Sequence, residues 1–466
     1  MSTGFGLTVT AAKPAVRKGS DNLIDVLVRV QAPDAPKTGL PERPRLNLSI
    51  VIDRSGSMNG QPLHEAKRAA VAMIDRLNTK DRASVVVYDN AVQVIAKSAH
   101  VSNKELIKAA IARVESGGYT NLHGGWLKGA EECARHLERD VVSRVLLLSD
   151  GNANEGVTGT DEIASQCSQL AQTGVTTSTY GLGRSFNEEL MTAMALSGRG
   201  NAYYSESAEL LLERFNEEFS LLSALCARNV RLLLSPLPGV KLETLNLYEA
   251  AGEQEWRLPD LVYDAEGWAA VRLRVESKSI PEVGDTLAVL QASVLYDNLE
   301  GAEQAISEVR LTLPVLDEKK FAGVATDRDV VRRVNEAEGA QIQEKATRAA
   351  KNGDWDEVSG LLARAREMAA HSEYLAQIVA NLEQLAAQRD QVLFSKEARY
   401  AAHILSKKIR SKREFDPAYR DSAMPAYLQR RVKQGKRGHL GDDVSEGKYR
   451  PFTRLIGFIE RLVNRK

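Results

Sequence analysis

Residues 46–58 read LNLSIVIDRSGSM. The run from Leu46 to Ile52 is apolar enough for a strand buried on both faces. It ends on Asp53, and Ser55 and Ser57 follow at alternate positions. A chain leaving a buried strand therefore presents a carboxylate and two hydroxyls at once. Three readings are open: serines capping the helix that follows, a catalytic group, or hard oxygen ligands for a metal ion.

The residues downstream alternate regularly between strand and helix patterns. LHEAKRAAVAMIDRL has apolar residues at helical spacing, ASVVVYDN is a strand, and VQVIA beside it predicts an antiparallel edge hairpin. NKELIKAAIARV and GWLKGAEECARHLE read as helices, SRVLLLSD as a buried strand, and GTDEIASQCSQLAQTG as a helix closed by Gly174. VTTSTYGLG, NEELMTAMALSG, NAYYS and AELLLERFNEEFSLLSAL continue the alternation to about residue 226. Such a pattern predicts an α/β fold, a doubly wound parallel sheet. In an open sheet of this kind the loops beyond the carboxyl ends of the strands converge on one crevice.

Two further stretches belong to that crevice. GGYTNLHGG places Thr120 among glycines before a helix, and LLLSDGNANEG places Asp150 at the end of an apolar strand. Asp53, Ser55, Ser57, Thr120 and Asp150 make a set of hard oxygen donors without His or Cys, which suits Mg²⁺ or Mn²⁺ rather than zinc. Gly117, Gly118, Gly124 and Gly125 are expected to let the backbone close round the ion. Asp89, after a strand, reads as a turn residue. Arg54 and His123 flank the proposed metal and are candidates for contacting a partner's carboxylate.

The set resembles the von Willebrand factor A (VWA) domain and its metal-ion-dependent adhesion site (MIDAS). That motif is DxSxS on the first strand, a threonine in a middle loop and an aspartate after the fourth strand. Asp53-Arg54-Ser55-Gly56-Ser57, Thr120 and Asp150 match it in order. The resemblance spans residues 45–226 and implies a Rossmann-like VWA domain. It also implies that an acidic side chain of a partner protein fills the metal's remaining position, so that the site binds protein and does not catalyse. The overall order is similar to that of certain cytosolic prokaryotic proteins of this type. Some of these work with protein kinases and phosphatases or with MoxR-type AAA+ ATPases, which suggests a partner class.

The flanking segments read differently. GFGLTVTAAKP and DNLIDVLVRVQA, within residues 1–44, alternate as strands. NVRLLLSP, VKLETLNLY, GWAAVRLRVE, DTLAVLQASVLYD and EVRLTLPVL, within 227–318, are strands without long helices between them. Together they predict an antiparallel β-sandwich into which the α/β domain is inserted. Residues 319–411 predict an α-helical module packed on the sandwich, with EYLAQIVANLEQLAAQRDQVLFSKEARYAAHIL as its last helix. A tetratricopeptide-like hairpin occurs there in one copy only.

Residues 412–466 predict a basic tail that closes with an amphipathic helix, FTRLIGFIERLVNRK. Formal net charge is zero, yet the stretch from Lys396 to Lys466 carries 19 Lys/Arg against 8 Asp/Glu, so the body is acidic. A basic tail raises nucleic-acid or membrane-surface binding as an alternative, though it lacks the aromatic interleaving of a single-strand binder. Ser422, Ser445 and Thr453 are placed for a phosphorylation switch.

Composition bounds the rest. With 43% hydrophobic and 27% charged residues the chain is of globular type. No apolar run of about 18 residues is present, and the first residues lack the n-region and h-region of a secretory signal. Cys133, Cys167 and Cys226 are sparse and odd in number, which fits buried thiols in a reducing compartment. A cytoplasmic location is the expectation. Ser55 and Ser57 have no evident His/Asp relay, and neither a G-x-S-x-G elbow nor a phosphate-binding G-x-x-x-x-G-K-[ST] loop occurs. A metal-dependent hydrolase remains as an alternative, although a two-metal site would want more carboxylates and histidines. Partner identity and oligomeric state are not legible.

Overall fold

The computed structural model describes residues 4–34, 43–150, 152–182, 186–205, 208–391 and, beyond these, 394–395, 397–398, 401–402 and 410–411. The expected basic tail, its terminal helix and Ser422, Ser445 and Thr453 lie outside the described residues. Among the described residues the chain forms two compact units, one from 43–225 with 299–301, the other from 4–34, 226–298 and the residues after 302.

The chain opens with β1 (Gly6–Ala11), β2 (Val16–Arg17) and β3 (Asn22–Gln31). The α/β unit follows. Its first half is β4 (Arg45–Asp53), α1 (Gln61–Arg76), β5 (Arg82–Tyr88), β6 (Val92–His100), α2 (Lys104–Ala112) and α3 (Leu122–Ala134). Its second half is β7 (Val141–Ser149), α4 (Thr160–Thr173), β8 (Val175–Leu182), α5 (Glu188–Ser197), β9 (Arg199–Ser205) and α6 (Ala208–Ser223). The sheet order is β6-β5-β4-β7-β8-β9. All pairs are parallel except β5–β6, the expected edge hairpin. The strands β4 and β7 are buried almost throughout because helices cover both faces. From β4 the chain first moves outward to β5 and β6, then returns to add β7 on the other side. The topological switch point thus lies between β4 and β7, where such sheets bind ligands.

Local chemistry sets the helix boundaries. The side chains of Asn103, Asn121 and Asn187 cap α2, α3 and α5, and Gly174, at φ +102°, closes α4. The helix α3 lies close on the sheet because Gly125 and Gly129 carry no side chain there. A Cβ would fall 2.2 Å from the Tyr88 ring at the first and 2.3 Å from Val51 at the second. On the other side of the unit a buried network joins α6 to the sheet. Glu218 accepts from Arg144 Nη1 (2.8 Å), Ser178 Oγ (2.7 Å), Asn201 Nδ2 (2.8 Å) and Tyr203 Oη (2.8 Å). Burial by itself pushes the Glu218 carboxyl up; Arg144 and these bonds outweigh it and hold it below the usual range.

The second unit continues with β10 (Leu225–Pro236), β11 (Val240–Thr244), β12 (Ala250–Gly252), β13 (Glu255–Arg257), β14 (Leu261–Val262), β15 (Ala265–Val275), β16 (Thr286–Asp297) and β17 (Glu303–Leu316). One sheet runs β1-β3-β15-β11 and the other β12-β13-β10-β16-β17-β2. The N-terminal strands do complete the sandwich, since β3 pairs with β15 along ten residues, from Asn22↔Val275 to Gln31↔Glu266. The whole α/β unit is inserted between β3 and β10 in sequence. Val26, Val28, Val30, Val271 and Leu273 from one sheet meet Val230, Leu232, Leu234 and Val289 from the other in a common core.

The helices are α7 (Glu318–Ala322), α8 (Arg328–Lys351), α9 (Trp355–Met368) and α10 (Glu373–Gln388). Val330, Val334 and Ala337 of α8 cover the outer face of the sandwich at Leu27, Trp268 and Ala270. The helical module therefore packs on the sandwich as expected. One expectation is corrected: the stretch from Glu373 onward is not a single helix. The helix α10 stops at Gln388, and Arg389 takes a left-handed conformation at φ 51°. The bend brings Phe394 back as a buried side chain against Trp355, ring centroids 5.9 Å apart.

Candidate metal centre

Strand β4 delivers Asp53 to the switch point fully buried. Its Oδ1 accepts the Ser55 backbone N–H at 2.9 Å, and its Oδ2 accepts Ser149 Oγ at 2.6 Å and Tyr88 Oη at 3.3 Å. A single helical turn, Gly56–Met58, follows, held down by the buried Met58. Ser55 Oγ and Ser57 Oγ lie 3.2 Å apart. The capping reading of the serines fails. The Ser55 side chain caps no backbone N–H of that turn, and α1 begins after Gly60 without a side-chain cap.

Backbone bonds knit the loops around Asp53. Gly56 N–H donates to Gly118 O (3.0 Å), Gly117 N–H to Arg54 O (2.8 Å), and Asn121 N–H to Asp89 O (2.9 Å). Between them Thr120 is buried. Thr120 N–H donates to Asn154 Oδ1 at 2.8 Å, and Asn154 N–H returns a bond to Thr120 O at 3.2 Å. This exchange ties the middle loop to the loop after β7, which carries Asp150. Asp150 is 8% exposed, accepts the Asn152 N–H on Oδ1 at 3.2 Å, and through its own carbonyl accepts the Asn187 N–H at 2.9 Å.

The glycines divide into two roles. Gly117 and Gly118 shape the loop itself: Gly118 sits at φ +33°, with its Cβ position 1.9 Å from Asn90 Oδ1. Gly124 and Gly125 lie on α3. Gly124 makes room for the Asn121 cap and Gly125 for the Tyr88 ring, so their need is helix packing and not closure round an ion.

Burial pushes the Asp53 carboxyl up to about 6; the bonds from Ser149 and Ser55 pull it down, and the nearby Asp150 charge adds to the rise. Among the described residues no cationic side chain pairs with either carboxylate. Arg54 is turned to Asp89, Nη2 to Oδ2 at 3.1 Å, and its N–H donates to Tyr88 O. His123, on the first turn of α3, meets Gln166 Oε1 through Nε2 at 2.7 Å. The two proposed rim residues thus both have partners within the unit. Among the described residues no three His, Cys, Asp or Glu side chains cluster as ligands, so a metal here would rely on two carboxylates and the hydroxyls. That donor set fits a hard divalent cation. Two buried carboxylates in each other's field, without a protein cation, leave a charge deficit that such an ion would fill.

Sequence reasoning missed several supporting residues. Ser149 and Tyr88 hold Asp53 and Asn154 holds Thr120; Asp89 does hold the expected turn, accepting the Ala91 N–H at 2.7 Å, and in addition pairs with Arg54 and fixes Asn121 through its carbonyl. Each stands one to four residues from a candidate ligand or at the end of a neighbouring strand, and that adjacency was the available signal.

Residues 47–218 match the family model described as von Willebrand factor type A domain. A Synechocystis protein, sll0103, is 33% identical over 47% of this chain and 55% of its own length. The chain thus spans about half the length of that curated relative. The fold of a von Willebrand factor type A protein from Catenulispora acidiphila is similar over 88% of this chain and 98% of its own, at a TM-score of 0.66 and 16% identity. The ArnB paralog VWA2 from Sulfolobus acidocaldarius is similar over 86% of this chain and 98% of its own, at a TM-score of 0.57 and 18% identity. At these identities the two structures speak for the fold, which extends well beyond the α/β unit. Residues 47–218, with their parallel sheet and their site at its switch point, form a von Willebrand factor type A domain.

Proposed function

We propose that this chain is a metal-dependent protein-interaction scaffold. Asp53, Ser55, Ser57, Thr120 and Asp150 hold Mg²⁺ or Mn²⁺, and the ion's open position takes an acidic side chain of another protein. The observation that carries this reading is the buried Asp53, set beside Asp150 and the paired serine hydroxyls with no compensating cation among the described residues. VWA domains are in general protein-interaction modules, which agrees with it. Asp53 is the anchor, oriented by Ser149 and Tyr88. Asn154 holds Thr120, and Asp89 fixes the adjoining Asn121 through its carbonyl. The partner class proposed is a signalling kinase or phosphatase, or a MoxR-type ATPase, in the cytoplasm.

The test is affinity capture from native lysate with full-length protein, run with Mg²⁺, with EDTA, and with Asp53→Ala. A partner retained only by the wild type with Mg²⁺ supports the reading. A partner retained under all three conditions moves the function to the sandwich, the helices or the basic tail.

A further inference from the structure

Tyr119 stands between Gly118 and Thr120. It is 71% exposed, more than the other exposed large apolar side chains among the described residues, Leu23, Leu106, Leu137, Leu247 and Val283. Among the described residues no hydrogen bond, ion pair or ring contact engages it. A single exposed apolar side chain is ordinary on a surface. This one differs in where it sits and how firmly its backbone is held.

Every backbone neighbour of Tyr119 is fixed. Gly118 O accepts from Gly56, Gly117 N–H donates to Arg54 O, Thr120 N–H donates to Asn154 Oδ1, and Thr120 O accepts from Asn154 and Glu155. The ring is therefore carried on a rigid loop, one residue from a proposed metal ligand. Tyr119 directly precedes Thr120, and the loop that carries it is bonded to the Asp53 loop through Gly118 O and Gly117 N–H. A tyrosine offers a large apolar area with few rotatable bonds, and a held backbone lowers the ordering cost of burying it. Metal coordination selects for a carboxylate but does not tell one acidic residue from another. A fixed aromatic beside the ion supplies that discrimination.

We propose that Tyr119 makes the site selective for a protein segment whose acidic residue has an apolar side chain within about two residues of it, the spacing at which an extended chain places two side chains on one face. The acidic residue reaches the metal and the apolar side chain covers Tyr119. This inference rests on the adhesion reading above.

The experiment selects short random peptides with a fixed central Asp or Glu on full-length wild type, Tyr119→Ser and Asp53→Ala, each with Mg²⁺ and with EDTA. Direct Mn²⁺ titration of the same proteins reports the metal site separately. Wild type should enrich Phe, Leu, Ile or Met beside the acid, in Mg²⁺ only. Tyr119→Ser should bind Mn²⁺ as wild type does, lose that enrichment, and bind the selected peptides about thirtyfold more weakly, the size at which a truncation counts as a hot spot. Equal apolar enrichment in wild type and Tyr119→Ser would overturn the role of Tyr119 while leaving the adhesion site standing. Absence of Mg²⁺-dependent peptide capture by the wild type would overturn both.

Discussion

Replacing Asp53 by Asn should stabilise the metal-free protein and destroy its response to metal. The Asp53 carboxyl is pushed from its ordinary 3.8 to about 6, first by burial, against the pull of Ser149 and Ser55. Between those values the folded state holds a proton that the unfolded state has released. The stabilising effect is fully present below about pH 3.8 and is lost as pH rises through about 6. A rise of this size corresponds to about 3 kcal/mol at neutral pH. Asn is isosteric and neutral. Its oxygen can keep the Ser55 N–H bond, and its amide can donate to the Ser149 hydroxyl, which turns to accept. Hydrogen exchange at the amides of β4 and β7 reads the opening of this unit apart from the sandwich. In EDTA, Asp53→Asn should equal wild type near about pH 4 and exceed it by up to about 3 kcal/mol at neutral pH. Saturating Mg²⁺ should then reverse the order, adding about 4.1 kcal/mol to wild type at a thousandfold excess over Kd and nothing to the variant. A wild type more stable than Asp53→Asn at every pH in EDTA would refute the idea that Asp53 is held at a cost awaiting a cation.

Other expectations follow from named contacts. Glu218→Leu removes the carboxylate that pairs with the buried Arg144 and should cost about 3–5 kcal/mol in chemical denaturation; wild type should lose stability as acid protonates the depressed Glu218, and the variant should lack that part of the slope. Gly125→Ala places a Cβ 2.2 Å from the Tyr88 ring. It should cost about 1–3 kcal/mol and, because Tyr88 bonds Asp53, weaken Mn²⁺ binding measured by calorimetry. Asn154→Ala removes the acceptor for Thr120 N–H, and metal affinity should fall about ten- to a hundredfold with a small change in Tm.

The α/β insertion was legible because its signals are local and repeated. Buried strands such as LNLSIVID and SRVLLLSD end on acidic residues, and Gly174 marks a helix end in plain sequence. That Asp53 and Asp150 stand at one edge was legible for a related reason: parallel strands carry their carboxyl-end residues to one edge regardless of the distance between them in the chain. What stayed hidden depends on side chains meeting across the fold. Nothing near Arg144 announces Glu218, and nothing in VVVYD says that the Tyr88 hydroxyl reaches Asp53. The strands β2 and β12 to β14 are too short for a period to show. The end of α10 falls at Arg389, where no Gly or Pro warns of it. The packing of Phe394 on Trp355 decides that bend, and it is a tertiary contact.

The most direct measurement is a titration of full-length protein with Mn²⁺, following the free ion by electron paramagnetic resonance, for wild type and Asp53→Ala. The account predicts one Mn²⁺ site per chain in the wild type, displaced by Mg²⁺ and absent from Asp53→Ala. Equal Mn²⁺ binding by the two proteins, or none by the wild type, would contradict it.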